Sequence, residues 1–298
     1  MSMRRLEDRI ARILMLSAAV LSSLVLFIIA VALFDKSLPI LISRPLSDLL
    51  LSSKWQPWNA EFGFYPFIMG TIWVTALAMA ISVPPSLLTS IYLAEYAPIR
   101  IRELVRPVVD LLAGIPSVVY GLWGVLVVVP LIRDYLGPLA GVSTTGYTVL
   151  AGGIVLAIMV FPIIISISEE VVRSVPQAVR EASMGLGATK WQTVKHVVIR
   201  GALPGIIAAI ILGFGRAFGE TMAVLMVVGN LPQVPSSVFD PGYPLPALIA
   251  NNYGEMMSIP SYDSALMLAA VLLLLTVLVF SILAGMVAAG VTRRYHIG

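Results

Sequence analysis

Six long apolar stretches constrain this chain more than any other feature. They lie at Ile13–Phe34, within Phe62–Ala94, at Leu111–Ile132, within Tyr147–Ser168, within Gly201–Asn230 and within Ser264–Val291, and only the fifth contains charged residues, Arg216 and Glu220. About 20 apolar residues in a helix cross the roughly 30 Å hydrocarbon layer of a bilayer. Lipid offers no partner to backbone N–H and C=O groups, so each crossing must satisfy its own, as a helix does. The expected fold is therefore all-α, a polytopic membrane protein with six transmembrane helices. Charge content agrees, since 12% of the 298 residues are charged against about 25% in soluble domains. Arg4, Arg5, Arg9 and Arg12 precede the first stretch, as basic residues precede a signal-peptide core. Its 22 uncharged residues are too many for such a core and no small-x-small cleavage site follows, so a retained first span is expected.

Six crossings put both termini and the segments 95–107 and 169–200 on one side. That side holds fourteen basic residues, among them Arg100, Arg102, Arg106, Arg173, Arg180, Lys190, Lys195 and Arg200; the other holds Lys36, Arg44, Lys54 and Arg133. Lysine and arginine collect in cytoplasmic loops. Residues 1–12 and 292–298 are accordingly expected in the cytoplasm, flanking a transmembrane domain over 13–291 with outer segments at 35–66, 133–145 and 231–263. Trp55, Trp58 and Tyr65 in the first outer segment suit a loop lying along the interface. Glu95 and Asp110 read as solvated helix ends, and His196 as a surface residue.

The inventory of reactive groups is short. There is no cysteine, and the two histidines, His196 and His296, are a hundred residues apart, so no metal cluster is expected. No Gly-x-x-x-x-Gly-Lys-Ser/Thr phosphate loop occurs, and Gly185–Lys190 has the wrong spacing for one. Without a catalytic carboxylate pair or Ser/His/Asp set, the chain is expected to be no enzyme, to bind no cofactor and to meet no nucleic acid.

Arg216 and Glu220 are the unusual charges. A charge at the bilayer centre costs about 2.5–3.5 kcal/mol on insertion scales, so such residues face protein or water. A spacing of four puts them on one helix face, able to pair. Arg216 could be a fixed positive charge for a passing oxyanion, whose geometry a guanidinium matches, with Glu220 holding it between substrates. Equally, the pair could lock helices together. Gly215-x-x-x-Gly219 has the spacing of a helix-contact face. Gly114, Pro116, Ser117 and Gly121 interrupt the third stretch; a broken helix persists at that depth where protein or a water path satisfies the freed backbone, and simple kinking is the alternative. Ser117, Tyr120 and Thr221 could offer hydroxyls to an anion.

The segment Ser174–Gln192 is shaped rather than floppy. Ser174 can cap a helix that Pro176 helps to start. Gly185 or Gly187 can end it in the left-handed conformation. Thr189 with Gln192 three residues on makes a capping box for a second helix. Small Ala182 and Ser183 would let another backbone come close.

Glu181-Ala182-Ser183 followed by Gly187 resembles the EAA loop of binding-protein-dependent ABC importer permeases. In that family the loop, here within 169–204, forms a coupling helix that docks on a cytoplasmic ATPase. Val197 matches the family's apolar position, but Ile199-Arg200 stands where Leu-Pro is expected, and Leu203-Pro204 follows later. Leu111–Gly121 and Gly215–Ala223 are similar to the phosphate-importer permeases. The continuation to Val228-Gly229-Asn230, and Phe62–Thr75 with Pro66 and Gly70-Thr71, resemble the PstC type of subunit.

The resemblance implies a type I, MetI-like permease fold in a cytoplasmic (inner) membrane. It implies four kinds of partner: a PstB-like ATPase dimer that uses ATP-Mg, a second, PstA-like permease, an extracytoplasmic PstS-like phosphate-binding protein, and the lipid bilayer. The coupling residues would be Glu181, Ala182, Ser183, Gly185 and Gly187, and the substrate pathway would hold Arg216, Glu220, Ser117 and Thr221. Importers of sulfate or molybdate remain open, because arginine pairs with any oxyanion. A secondary transporter or channel working without ATP also remains open, but it would leave the shaped loop without a task.

Overall fold

The computed structural model describes residues 3–254 and 260–295. His296 with the last residues of the 292–298 tail, and 255–259 of the third outer segment, lie outside the described residues. The helices are α1 (Met3–Ser43), α2 (Leu46–Leu51), α3 (Tyr65–Tyr96), α4 (Ile99–Gly114), α5 (Ser117–Leu139), α6 (Val149–Ser174), α7 (Gln177–Gly185), α8 (Lys190–Gly219), α9 (Met222–Val227), α10 (Leu245–Asn252) and α11 (Pro260–Tyr295). Two short antiparallel strands, β1 (Trp55–Gln56) and β2 (Glu61–Phe62), pair in the first outer segment. Among the described residues, six helices are long and apolar enough to cross a membrane, in α1, α3, α5, α6, α8 and α11.

The crossings fall where the apolar stretches put them, but several helices run further than the charges suggested. α1 passes Asp35 and Lys36 and ends at Ser43, before Arg44-Pro45. A charged side chain leaves the backbone ladder intact, whereas proline has no N–H to give it. The expected outer segment 35–66 is therefore helical in its first part. Likewise α5 continues through Arg133 and Asp134 to Leu139, and Gly141 (φ +70°) turns the chain, so that 133–145 is mostly helix. The same reason carries α6 past Glu169, Glu170 and Arg173 to Ser174, and starts α8 at Lys190, which narrows the expected coupling loop of 169–204 to the turns around α7. The third crossing begins at Ser117 rather than Leu111, because Pro116 separates α4 from α5.

The centre of the molecule is α3 packed along α6. Gly153 lets the two approach, since a Cβ there would lie 2.8 Å from Leu77 Cδ2. Val74, Ala78, Leu156, Val160 and Ile164 fill this seam and α8 and α9 add Ala217 and Val224. At the end of α3 away from α7, Trp55 meets Phe62, Phe64, Phe67 and Tyr262 edge-on, with ring centroids 4.8–5.9 Å apart. Trp55 is thus part of the packed core rather than an interface anchor, while Trp58 is exposed. The helix α10 is fastened here. Thr71 Oγ1 accepts from the Leu245 amide at 2.9 Å, and the Tyr243 backbone lies 3.1 Å from where a Cβ of Gly70 would be. α1 lies outermost against α11, with Ile13 to Phe27 exposed as lipid-facing residues should be.

Candidate functional site

Two helix breaks, one at the start of the third crossing and one at the end of the fifth, are brought together. Pro116 has no N–H for the Leu112 carbonyl, and the chain turns extended at Ile115 and Pro116. The Leu112 carbonyl takes a longer bond from the Ile115 amide at 3.3 Å, and the Tyr120 hydroxyl donates to it at 2.8 Å. One turn on, Gly121 lets α9 come close; a Cβ there would meet Met226 Sδ at 2.6 Å and Ala223 Cα at 3.1 Å. α9 itself follows the second interruption, where α8 ends at Gly219 and Glu220 is extended (ψ 129°).

That end of α8 corrects the expected Arg216–Glu220 pairing. A four-residue spacing makes neighbours only within a continuous helix, and the helix stops between them. Glu220 instead turns back to α9, where its Oε1 accepts from the Ala223 amide at 3.3 Å. Thr221 donates to the Gly219 carbonyl at 3.3 Å. Among the described residues no ion pair joins Arg216 to a carboxylate. Arg216 is exposed on this chain, yet within electrostatic reach of Tyr120. Gly213 faces inward against Ile164 and Val160, whereas nothing lies within 4 Å of the Cβ positions of Gly215 and Gly219. The Gly215-x-x-x-Gly219 face makes no contact inside the chain and lies open beside Arg216. Ser117, half-buried at the start of α5, is the other hydroxyl beside the α4–α5 break.

The second region is the hairpin of α7 and the start of α8. Ser174 does not cap α7; its hydroxyl donates back to Val171 O at 2.8 Å, and Pro176 holds the cap position. Gly185 is the last residue of α7, and Gly187, at φ +90°, is the one that takes the left-handed turn. The capping box forms in both directions, Thr189 N–H to Gln192 Oε1 at 2.8 Å and Gln192 N–H to Thr189 Oγ1 at 3.3 Å. Ser183 and Thr193 hydroxyls bridge the two helices at 3.0 Å. α8 then continues through one widened turn at Val194–Val198, so the departure at Ile199-Arg200 causes no break. Ala182 is exposed, as is Glu181, which accepts from Gln177 Nε2 at 3.2 Å. Leu186 is 91% exposed at the tip, with Val179, Met184 and Trp191 exposed around it. His196 is exposed on α8.

Sequence reasoning missed the groups under this hairpin. Glu95 is not a solvated end; it pairs with Arg180 at 2.7 Å, with both side chains close to 10% exposed. Glu169, 2% exposed, has Arg173 at 3.5 Å, Arg106 at 3.8 Å and Arg102 at 4.0 Å. The available signal was proline spacing: both Pro98 and Pro176 are followed four residues later by an arginine.

The family model of the binding-protein-dependent transport system inner membrane component matches residues 86–294. A relative from Bacillus subtilis (strain 168), named "Probable ABC transporter permease protein YqgH", is 41% identical over 210 residues, covering 70% of this chain and 66% of the relative. The phosphate transport system permease protein PstC of Xylella fastidiosa (strain 9a5c) is 37% identical over 262 residues, covering 82% of this chain and 79% of the relative. Among solved structures, a bacterial ABC transporter involved in the import of alginate superposes with a TM-score of 0.64 at 16% identity, over 97% of this chain and 99% of that chain. At that identity the likeness establishes the fold, that of an ABC importer permease.

Proposed function

The chain belongs to the family of binding-protein-dependent transport system inner membrane components, and from that premise we propose that it forms one half of the membrane pathway of an ATP-driven importer of inorganic phosphate. It is a multi-pass inner-membrane protein and a transport subunit. The reading adds that the side bearing α7 is cytoplasmic, on the strength of the basic residues gathered there, which places both termini in the cytoplasm. ATP and Mg are used by a separate PstB-like ATPase dimer docked on the hairpin. A PstA-like permease completes the pathway, and a PstS-like protein delivers the anion from outside.

One observation carries the proposal: a rigid, capped hairpin presents Leu186, Val179, Met184 and Trp191 to solvent at the membrane edge. Exposed apolar side chains at the tip of a well-ordered element are the mark of a protein-docking surface. In this reading Glu181, Ala182, Ser183, Gly185 and Gly187 fit a groove of the ATPase, and its closure on ATP moves the hairpin as a body.

Substrate choice rests on the PstC relatives, which are named as phosphate transport permeases, together with the chemistry of Arg216. A guanidinium at membrane depth is desolvated unless an anion or water meets it. Arg216 lies beside the open Gly215–Gly219 face, so the partner permease and the anion route are assigned to that face, with Ser117 and Thr221 as neighbouring hydroxyls. Glu220 then holds the α8–α9 bend and limits the positive charge of the route.

The test is ATP-driven uptake of labelled phosphate into proteoliposomes holding this chain, the second permease and the ATPase, with the binding protein supplied. Uptake competed by phosphate but not by sulfate supports the proposal. Competition by sulfate or molybdate would reassign the anion, and flux indifferent to ATP would overturn the coupling role of the hairpin.

A further inference from the structure

Two arginines form a reciprocal clasp between α3, α6 and the hairpin, and it is built from proline-orphaned carbonyls. At the end of α3 the Ala97 amide donates to Tyr92 O at 2.8 Å rather than to Leu93, and Pro98 has no N–H for Ala94. In a regular helix each carbonyl would receive the amide four residues on. Arg102, four residues past Pro98, fills both places, with Nε to Leu93 O at 3.0 Å and Nη2 to Ala94 O at 3.3 Å. At the end of α6 the arrangement repeats. Pro176 leaves the Val172 carbonyl without an amide, and Arg180, four residues past it, donates to Val172 O at 2.9 Å and also to Val175 O.

Each arginine also reaches the acid of the other helix. Arg180 spans to Glu95 of α3, with Nη2 at 2.7 Å and Nε at 3.1 Å. Arg102 approaches Glu169 of α6 at 4.0 Å, and Arg106 and Arg173 complete the ring around that buried carboxylate. A planar guanidinium holds five donors in a fixed fork and so can cap two carbonyls and bind a carboxylate at once, whereas an ammonium has three donors and no fixed plane. Lys190, at the start of α8, adds a contact from the other arm of the hairpin, 4.7 Å above the Tyr96 ring at the end of α3.

We propose that this clasp makes α3, α6 and the hairpin one rigid body, with Arg180 and Arg102 as the positioning residues through which movement of the hairpin is passed to the membrane helices. The inference rests on the importer reading above. Apart from the clasp, the α7 arm meets α6 through Val175-Pro176, and the α8 arm rests on α6 and α3 through the apolar packing of Val198 and Ala202 with Val172, Leu87 and Ala94; the clasp is the directional, hydrogen-bonded link that fixes α7 to α3. Such a link converts ATP closure into helix movement, so its loss uncouples hydrolysis from transport rather than abolishing either binding event.

The first test needs no transport. The chain has no cysteine, so Leu88→Cys on α3 and Gln177→Cys on α7 can carry spin labels in the full complex. One body predicts the same label distance in the nucleotide-free and ATP-trapped complexes, and a broadened or shifted distance on adding Arg180→Gln. A distance that changes between the two states with Arg180 intact overturns the proposal. The second test reads inorganic phosphate imported per ATP hydrolysed. Arg180→Gln is expected to lower that ratio about fivefold or more, the low end for coupled sites, with the ATPase still co-purifying, and Arg180→Lys to recover part of it. Should Arg180→Gln prevent assembly, Glu95→Gln keeps a hydrogen-bonding oxygen for Arg180 and is expected to lower the ratio in the same direction. An unchanged ratio in the variant that assembles overturns the proposal. A wild-type complex that imports no phosphate but keeps its label distance fixed overturns the substrate reading and leaves the clasp standing.

Discussion

The Tyr120 hydroxyl donates at 2.8 Å to the carbonyl of Leu112, taking the place of the amide that Pro116 lacks and joining the longer bond from the Ile115 amide at 3.3 Å. A hydrogen bond of this kind contributes about 1 kcal/mol, so this phenol stabilises the break between α4 and α5. Tyr120→Phe keeps the ring and removes the donor. The expected loss is ~1 kcal/mol, read as a lower melting temperature in detergent. Pro116→Ala restores an amide for Leu112 O, and in that background Tyr120→Phe should have little further effect. An equal penalty in both backgrounds would show that the hydroxyl acts elsewhere.

Glu220 offers a sharper separation of charge from shape. Its Oε1 caps the Ala223 amide, and a carboxamide oxygen can accept the same bond. Glu220→Gln should therefore keep thermal stability near wild type, while Glu220→Ala should lower it by ~1 kcal/mol, the usual cost of a lost cap. If Glu220 also tunes the anion route, both variants impair phosphate uptake. Arg216→Gln should abolish uptake with the complex still assembled, and Arg216→Lys should keep the charge but lose the bidentate geometry, giving an intermediate rate. Full uptake by Arg216→Gln would assign this arginine to packing.

Apolar patterning made the six crossings legible, because a bilayer leaves helices no alternative. The capping box at Thr189–Gln192 was legible too, since its chemistry is local. Helix ends read from charge were misplaced, because Asp35, Lys36, Arg133 and Asp134 leave the backbone ladder of a helix intact. The Arg216–Glu220 pairing was misread for a related reason: the spacing argument assumes a helix that Glu220 itself terminates. Glu95 escaped because Arg180 stands 85 residues away in the chain, and no local rule reaches that far; of the partners of Glu169 only Arg173, at i+4, was within local reach, while Arg102 and Arg106 come from another helix. The closeness of the two helix interruptions depends on Gly121 facing α9, which spacing alone does not reveal.

The hairpin tip separates docking from folding. Leu186 is 91% exposed, so Leu186→Ser removes almost no buried surface and should leave the melting temperature unchanged while weakening retention of the ATPase during purification. Gly187 is different. At φ +90° an alanine Cβ is strained by about 1 kcal/mol or more, though no atom lies within 4 Å of it. Gly187→Ala should lower both stability and ATPase retention, whereas Gly187→Asn, which tolerates this conformation better, should be milder. Equal effects of alanine and asparagine would argue against backbone strain.

Asp240 gives the outer segment a pH dependence of known sign. The Ser236 hydroxyl, then the Ser236 and Ser237 amides, donate to its carboxylate and hold its pKa below the ordinary value. A depressed folded-state pKa adds stability that is fully present above the unfolded value, about 3.9, and is lost as pH falls through the folded value. Melting of the wild type should therefore drop between about pH 4 and lower pH more than that of Asp240→Asn. Parallel curves for the two proteins would remove Asp240 from the account.

Among the described residues Glu169 is the most deeply buried acidic group, 2% accessible and ringed by Arg102, Arg106 and Arg173 at 3.5–4.0 Å. Removing one partner of a buried ion pair leaves the other charges uncompensated, at a typical cost of about 3–5 kcal/mol. Here that cost is reduced, since Arg106 and Arg173 are about half exposed and water can solvate them. Arg102, the least exposed of the three, cannot turn outward without releasing the Leu93 and Ala94 carbonyls. Glu169→Gln should therefore cost ~2 kcal/mol, and most of that should vanish in the Glu169→Gln/Arg102→Gln double variant if the two residues act as a unit. Melting temperatures of the four proteins close the cycle. Additive losses would mean that Arg102 serves the end of α3 alone and that Glu169 is held by Arg106 and Arg173.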